Sequence, residues 1–324
     1  NESLNYFIEA ISYQTSDGVV LKFLYDNVIL NQQKWKINAK NEFIFSENTQ
    51  VKNFKLTHKN ESIQISNPKE NTSELKFDFN GFKLENFLNL VENTKSDSIE
   101  LLTGILNGSS NIWTTNGVFR FKADLKLDSL YFLNQPAGNL SISANNVSNI
   151  IDFTGALTGY DNDVNLEGKY TDSLSTFDFN VDIKKLQLKT LESFSFDQLK
   201  SSEGYLSGSI SLKGTAEDPI VKGSIKMNNA KLRSTYLNSY YTIGNDKITF
   251  DKNTLRFNQF TVKDSSANSF SIDGNIVFNT IDQYNFDLVI KSKNFQALNT
   301  NKEGDNDLFY GKVLFSSNIK VKGN

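Results

Sequence analysis

Few residues in this chain have the types and spacing for chemistry. His58 is its only imidazole and there is no cysteine. Thiol nucleophiles, disulfides, iron–sulfur clusters and Cys-based zinc sites are therefore excluded, and a single histidine builds no His-rich metal site. His58 lies between Thr57 and Lys59 near an expected strand end, where solvation is the simplest expectation. Asp161, Asp163, Asn165 and Glu167 are spaced like oxygen ligands for calcium, but the loop lacks the central glycine and distal glutamate of a calcium hand. They are expected to form a hairpin turn, as are Asp305 and Asp307. Gly204, Gly208 and Gly214 are not followed by the Gly-Lys-Ser/Thr of a phosphate loop. Asn107, Asn139 and Asn146 open glycosylation-type triplets, taken as chance matches in an Asn-rich chain. Trp35 and Trp113 are read as core fillers, with a groove rim as the other option. No catalytic residue, metal site or cofactor is expected.

The elements that would position any site follow from alternation. Phe119, Phe121, Ala123, Leu125 and Leu127 alternate with charged residues, and Phe177, Phe179, Val181 and Ile183 with Asp178, Asn180 and Asp182. The pattern returns at Phe270, Ile272, Ile276 and Phe278, and at Phe286, Leu288 and Ile290. Alternate side chains of a strand face opposite sides, so these segments have one apolar and one hydrated face. Asn, Asp, Gly and Ser clusters punctuate them with turn chemistry. The reading is all-β and mostly antiparallel with few short helices: an elongated, repetitive curved sheet whose apolar face must be covered, by folding over as a β-taco or stacking as a β-solenoid, or be left as an apolar inner groove. Helical spacing is weak in two places, at Phe82, Leu84, Phe87, Leu88, Leu90 and Val91, and at Leu191, Phe194, Phe196 and Leu199.

Composition agrees. The 324 residues carry 34 basic and 37 acidic side chains, with 26 Phe and 12 Tyr but only 38% hydrophobic residues. Near-balanced charge argues against a nucleic-acid partner. Abundant aromatics and low net charge argue against disorder. A low apolar fraction with many aromatics suits a thin fold with one buried face. No apolar run is long enough to span a bilayer.

Three segments repeat roughly every 100 residues. They run from Phe77 to Gly104–Ser110, from Phe177 to Gly204–Ile210, and from Phe286 to Gly311–Ser317. The expectation is one continuous β-groove segment with units near 77–176, 177–285 and 286–324, the last incomplete. Asn1 is not a start methionine, and the chain is expected to be an internal piece of a longer protein.

The stretch Gly204-Tyr-Leu206-Ser-Gly208-Ser-Ile210-Ser-Leu212-Lys-Gly214, followed by Asp218-Pro219 and Gly223-Ser-Ile225-Lys-Met227, resembles the strand–Gly–Asp-Pro–strand–Gly unit of TamB-type proteins in the AsmA-like superfamily. Ile248, Phe250, Leu255, Phe260 and Ser271–Gly274 continue that order, as does Leu308-Phe-Tyr310-Gly311-Lys-Val313. The likeness is good from about 177 to 324, weaker from 77 to 176 and marginal before. It implies a large periplasmic protein anchored in the inner membrane by an N-terminal helix outside this sequence. It also implies an apolar groove that moves phospholipid toward the outer membrane, and pairing with an Omp85-type outer-membrane barrel through a region outside this fragment. The resemblance brings no catalytic residues.

On this reading the groove is lined by Phe177, Phe179, Val181, Ile183, Leu206, Ile210, Leu212, Ile225, Met227, Phe250, Leu255, Phe257, Phe270, Ile272, Phe278, Phe286, Leu288 and Ile290, which meet phospholipid acyl chains. Alternation alone also allows a structural or adhesive surface β-solenoid with a closed core. An enzyme would need clustered carboxylates on an exposed face, whereas the acidic residues here are scattered.

Overall fold

The computed structural model describes residues 5–24, 28–69, 72–86, 102–146, 149–195, 198–278, 283–300 and 311–323. Strand makes up 77% and helix 4%, so the fold is all-β with few short helices. The chain divides into two compact units, Asn1–Gly155 and Ala156–Asn324. All strand pairings among the described residues whose registers are known are antiparallel.

The strands of the first unit are β1 (Tyr6–Phe7), β2 (Ala10–Thr15), β3 (Gly18–Phe23), β4 (Val28–Leu30), β5 (Gln33–Ile37), β6 (Glu42–Phe45), β7 (Gln50–Lys52), β8 (Phe54–His58), β9 (Glu61–Ser66), β10 (Leu75–Lys83), β11 (Leu102–Thr115), β12 (Val118–Phe132) and β13 (Gln135–Asn145), with β14 (Ile150–Gly159) after them. Strands β2, β3, β6 and β7 make a small four-stranded sheet. A longer ladder runs β1–β4–β5–β8–β9–β10–β11–β12–β13. Between them lies a closed core of Val28, Trp35, Ile37, Val51, Phe54, Leu56, Ile63, Phe82 and Leu106. Phe23, Phe43 and Phe54 meet edge to face at 5.0–5.6 Å, which locks the small sheet onto the long one.

The expected first helix is corrected in part. Phe82 is the penultimate residue of strand β10, fully buried against Trp35, and is not on a helix. Residues 87, 88, 90 and 91 lie outside the described residues. Trp35 is a core filler at 2% exposure, whereas Trp113 is half-buried on β11.

The second unit continues with β15 (Asn162–Thr171), β16 (Thr176–Gln187), α1 (Leu188–Glu192), β17 (Leu199–Gly214), β18 (Pro219–Ser234), β19 (Ser239–Ile243), β20 (Lys247–Lys252), β21 (Thr254–Asp264), β22 (Ser269–Phe278), β23 (Tyr284–Thr300) and β24 (Gly311–Gly323). Each strand pairs with its chain neighbour, except around β18. There β20 covers the first part of β18, β19 covers the last part, and both pair with β21. Of the second expected helix, Leu191 lies on α1, Phe194 is in an exposed 3₁₀ turn and Leu199 opens β17. Phe196 lies outside the described residues.

Bulges interrupt these ladders, and four of them put a residue, Gly81, Ser129, Gln259 or Asn294, into the left-handed region. They fall between Phe79 and Phe82, Leu127 and Leu130, Phe257 and Phe260, and Ser292 and Phe295. A bulge leaves one amide without its ladder partner. Here a polar side chain of the next strand accepts it: Asn107 from Gly81 at 2.8 Å, Asn139 from Ser129 at 2.9 Å, Asp273 from Gln259 at 3.0 Å and Ser316 from Asn294 at 2.9 Å. Leu106 and Leu206, which align in the sequence repeat, each sit directly past a bulge and are each 9% exposed. The glycosylation-type asparagines Asn107, Asn139 and Asn146 are thus all engaged with neighbouring backbone.

Glycine has a different use on β17 and β18. Gly208 has φ +145°, and a Cβ there would lie 2.0 Å from the carbonyl oxygen of Ser224. No side chain fits without moving backbone, so the strands approach closely and leave a gap on the sheet face. This is the role of the glycine spacing that fits no phosphate loop. The Gly208→Ala variant is expected to lose more than about 1 kcal/mol of stability, read as a lowered urea midpoint. The control Gly244→Ala, with open space around its Cβ position, is expected to stay within about 0.5 kcal/mol of the parent.

Candidate functional site: the apolar face of the second unit

Residues paired directly across an antiparallel ladder point to the same side of a sheet. The register of the second unit can therefore be followed from strand to strand. One row runs Val181–Ile210–Gly223–Phe250–Leu255–Ile276–Phe286. A second runs Ile183–Gly208–Ile225–Ile248–Phe257–Gly274–Leu288. Phe179 and Leu212 form a third pair, continued by Val221. Leu206 pairs with Met227, Ile272 with Ile290 and Phe270 with Ser292. Phe177 opposes Gly214, and Phe278 opposes Tyr284. Every residue expected to line the groove lies on this one face.

Val221, Ile248, Phe260, Val262 and Ile276 belong to the same face but were not among the residues expected to line it. Ile248 and Ile276 sit in alternating runs and were legible in principle. Phe260 and Val262 follow the bulge after Phe257, which shifts the inward parity by one residue.

The opposite face is polar. Asp178 pairs with Lys213 at 2.9 Å, Arg256 with Asp251 at 3.4 Å, and Asp287 with Lys322 at 2.9 Å and Lys320 at 3.5 Å. The Lys322 hydrogen bond is the main reason that the Asp287 carboxyl sits below its usual range.

Burial along the apolar face is uneven. Ile183 and Leu206 are buried, Phe278 is exposed at 40%, and the other expected lining residues are half-buried. The buried set of the unit gathers at the bulged end of the strands. There Ala230, Ile243 and Phe260 form a small cluster with Leu188 of α1, Met227, Ile248, Phe257 and Val262 packed on it. Phe295 and Leu298 of β23 are also buried beyond their bulge. At the other end Phe278 and Tyr284 are exposed, and a cavity of about 360 Å³ opens among Pro219, Val221, Phe250, Leu255 and Phe278. The face is thus covered at one end and open at the other.

Asp264 holds the covered end together. Its carboxylate is 4% exposed and accepts from the backbone N–H of Ser266 and Asn268 at 2.9 Å each, Gln296 N–H at 2.8 Å and Asn268 Nδ2 at 3.1 Å. This fixes the end of β21 to the irregular part of β23. Burial pushes the carboxyl up, but the bonds from Gln296, Asn268 and Ser266 outweigh it and hold the carboxyl below its usual range.

The remaining chemical candidates form no site. Asp161 sits in the tight turn after β14, with Tyr160 and Asp161 both at positive φ, and its carboxylate binds Lys185 and Gln187. Among the described residues no group of three His, Cys, Asp or Glu is placed to hold a metal ion. Asp305 and Asp307 lie outside the described residues. His58 is half-buried and so only partly solvated. Its Nδ1 donates to the Lys34 carbonyl at 2.7 Å, its ring lies 5.3 Å from that of Trp35, and its Nε2 is buried.

Because the folded-state pKa of Asp264 lies below the unfolded value near 3.8, its stabilisation is present above that value and is lost as pH falls through the folded value. The Asp264→Asn variant places amide hydrogens against backbone donors. It is expected to cost about 1–3 kcal/mol at pH 7 and to flatten the fall in stability below pH ~4, read from urea midpoints across pH.

Comparison of the chain with family models, with curated proteins and with solved structures found no match.

Proposed function

We propose that the second unit is a segment of a bridge-like lipid transfer protein, with its apolar face as a trough for phospholipid acyl chains. One observation carries the reading: the face is only half-buried along most of its length, while closure is confined to the end held by α1 and Asp264. A closed core would bury these side chains, as the first unit buries Trp35 and Phe82. Each methylene of a chain lying on the face is stabilised by about 0.8 kcal/mol relative to water. A wall of similar aliphatic and aromatic side chains offers no single deep trap, which suits movement along the face better than storage.

The TamB-like spacing of Gly204–Met227 supports the same reading. It extends the proposal to a periplasmic setting with inner-membrane anchoring, a role in outer-membrane assembly and an Omp85-type barrel as partner, all through regions outside this sequence. No covalent chemistry is part of it. Transport is passive along the face or driven by a partner.

The test is mass spectrometry of lipids that co-purify with the chain from native membranes. Phospholipid is expected on the parent protein. It should be lost from a folded Ile272→Asp variant, where an acyl chain would have to bury an unpaired carboxylate. A folded parent without lipid, or a folded variant that keeps it, overturns the proposal.

A further inference from the structure

The open end of the face has a polar rim. The cavity there is lined on its apolar side by Pro219, Val221, Phe250, Leu255 and Phe278. Its remaining walls include Glu217, Asp218 and Lys252. Lys252 ends β20 and pairs in register with Val221, so the Leu212–Val221 row ends in an ammonium group. Glu217 and Asp218 stand in the turn that leads into Pro219, where the Asp218 N–H donates to Thr215 Oγ1 at 3.1 Å. All three charged side chains are exposed. None of them is in an ion pair described among the residues of this structure.

The rim thus offers one cation and two carboxylates around an apolar opening. An anionic head would meet Lys252 but would be repelled by the two carboxylates. A cationic head would meet the reverse. A head with a phosphate and an ammonium a few bonds apart matches both signs.

We propose that this cavity is a headgroup station for a zwitterionic phospholipid of the phosphoethanolamine type. Lys252 takes the phosphate and the Glu217–Asp218 turn takes the ammonium, while an acyl chain runs inward past Phe250 and Leu255. The inference rests on the lipid-trough reading and adds headgroup selection to it. It also gives the Asp218-Pro219 turn a task beyond chain reversal, since it holds two carboxylates beside the opening. Exposed ion pairs are weak and screened, so the selectivity is modest and falls with salt.

The experiment titrates the purified chain at low salt with three acyl-labelled fluorescent lipids of identical chains: phosphatidylethanolamine, phosphatidylglycerol and diacylglycerol. Phosphatidylethanolamine is expected to bind roughly two- to fivefold tighter than phosphatidylglycerol, with the difference shrinking at high salt. Lys252→Ala should bring phosphatidylethanolamine down toward diacylglycerol. The double variant Glu217→Gln, Asp218→Asn should abolish the preference by strengthening phosphatidylglycerol binding. Unchanged diacylglycerol binding reports that each variant keeps its apolar face. If all three lipids bind but the two phospholipids bind alike, or the variants change nothing, the headgroup station is overturned and the trough stands. If none of the three binds, both are overturned.

Discussion

Antiparallel register is the constraint on which the second unit depends. A slip of one residue in any pair would exchange the two faces of that strand. The rows from Val181 to Phe286 and from Ile183 to Leu288 stay apolar across successive strands because that slip does not occur. Side-chain packing enforces this most strongly at the bulged end, where Ala230, Ile243 and Phe260 are buried. Elsewhere the apolar pattern, the tight turns and cross-strand charge pairs such as Asp178–Lys213 on the hydrated side favour the same register.

Bulges are the places where that register is deliberately broken, and the asparagine-rich composition finds much of its physical meaning there. At four of them the extra residue frees an amide, and a short polar side chain on the next strand accepts it. Asparagine, aspartate and serine are short enough to reach a neighbouring backbone from a strand position and polar enough to satisfy it. Asn41 takes the device further: its amide accepts from Phe23 N–H and donates to Phe23 C=O, both at 2.8 Å, and so acts as one more peptide unit beside β3. The bulges also bend the strands, which lets α1 and β19 close one end while the other stays open.

The two units solve the same problem differently. Each has a sheet with one apolar face, and such a face must be covered. In the first unit the β2–β3–β6–β7 sheet covers part of it with Phe43 and Val51, where Trp35 is 2% exposed, while Phe119 on β12 stays exposed. In the second unit coverage ends after α1, and Phe250, Leu255 and Phe278 border a cavity instead. Where a second layer lies over the face the side chains are buried, and where it does not they are half-buried or exposed, although both stretches are built from the same residue types.

Alternation along the sequence was enough to determine the all-β class, the antiparallel pairing and the face to which Phe177, Ile210, Ile272 and Leu288 belong, because side-chain direction in a strand is a local property. It did not show that Phe260 and Val262 share that face, because a bulge shifts parity through a backbone conformation that Gln259 adopts in tertiary context. It placed Phe82 on a helix, because spacing near a strand end resembles one turn of helix when the buried partner, Trp35, is distant in sequence. It did not show that the Lys34 carbonyl and the Trp35 ring lie against His58, since both come from a neighbouring strand. Above all, alternation is identical for a covered and an uncovered face. Which end of the sheet is closed, and that Lys252 stands beside its open end, was decided only by the tertiary structure, because coverage is a relation between strands far apart in the chain.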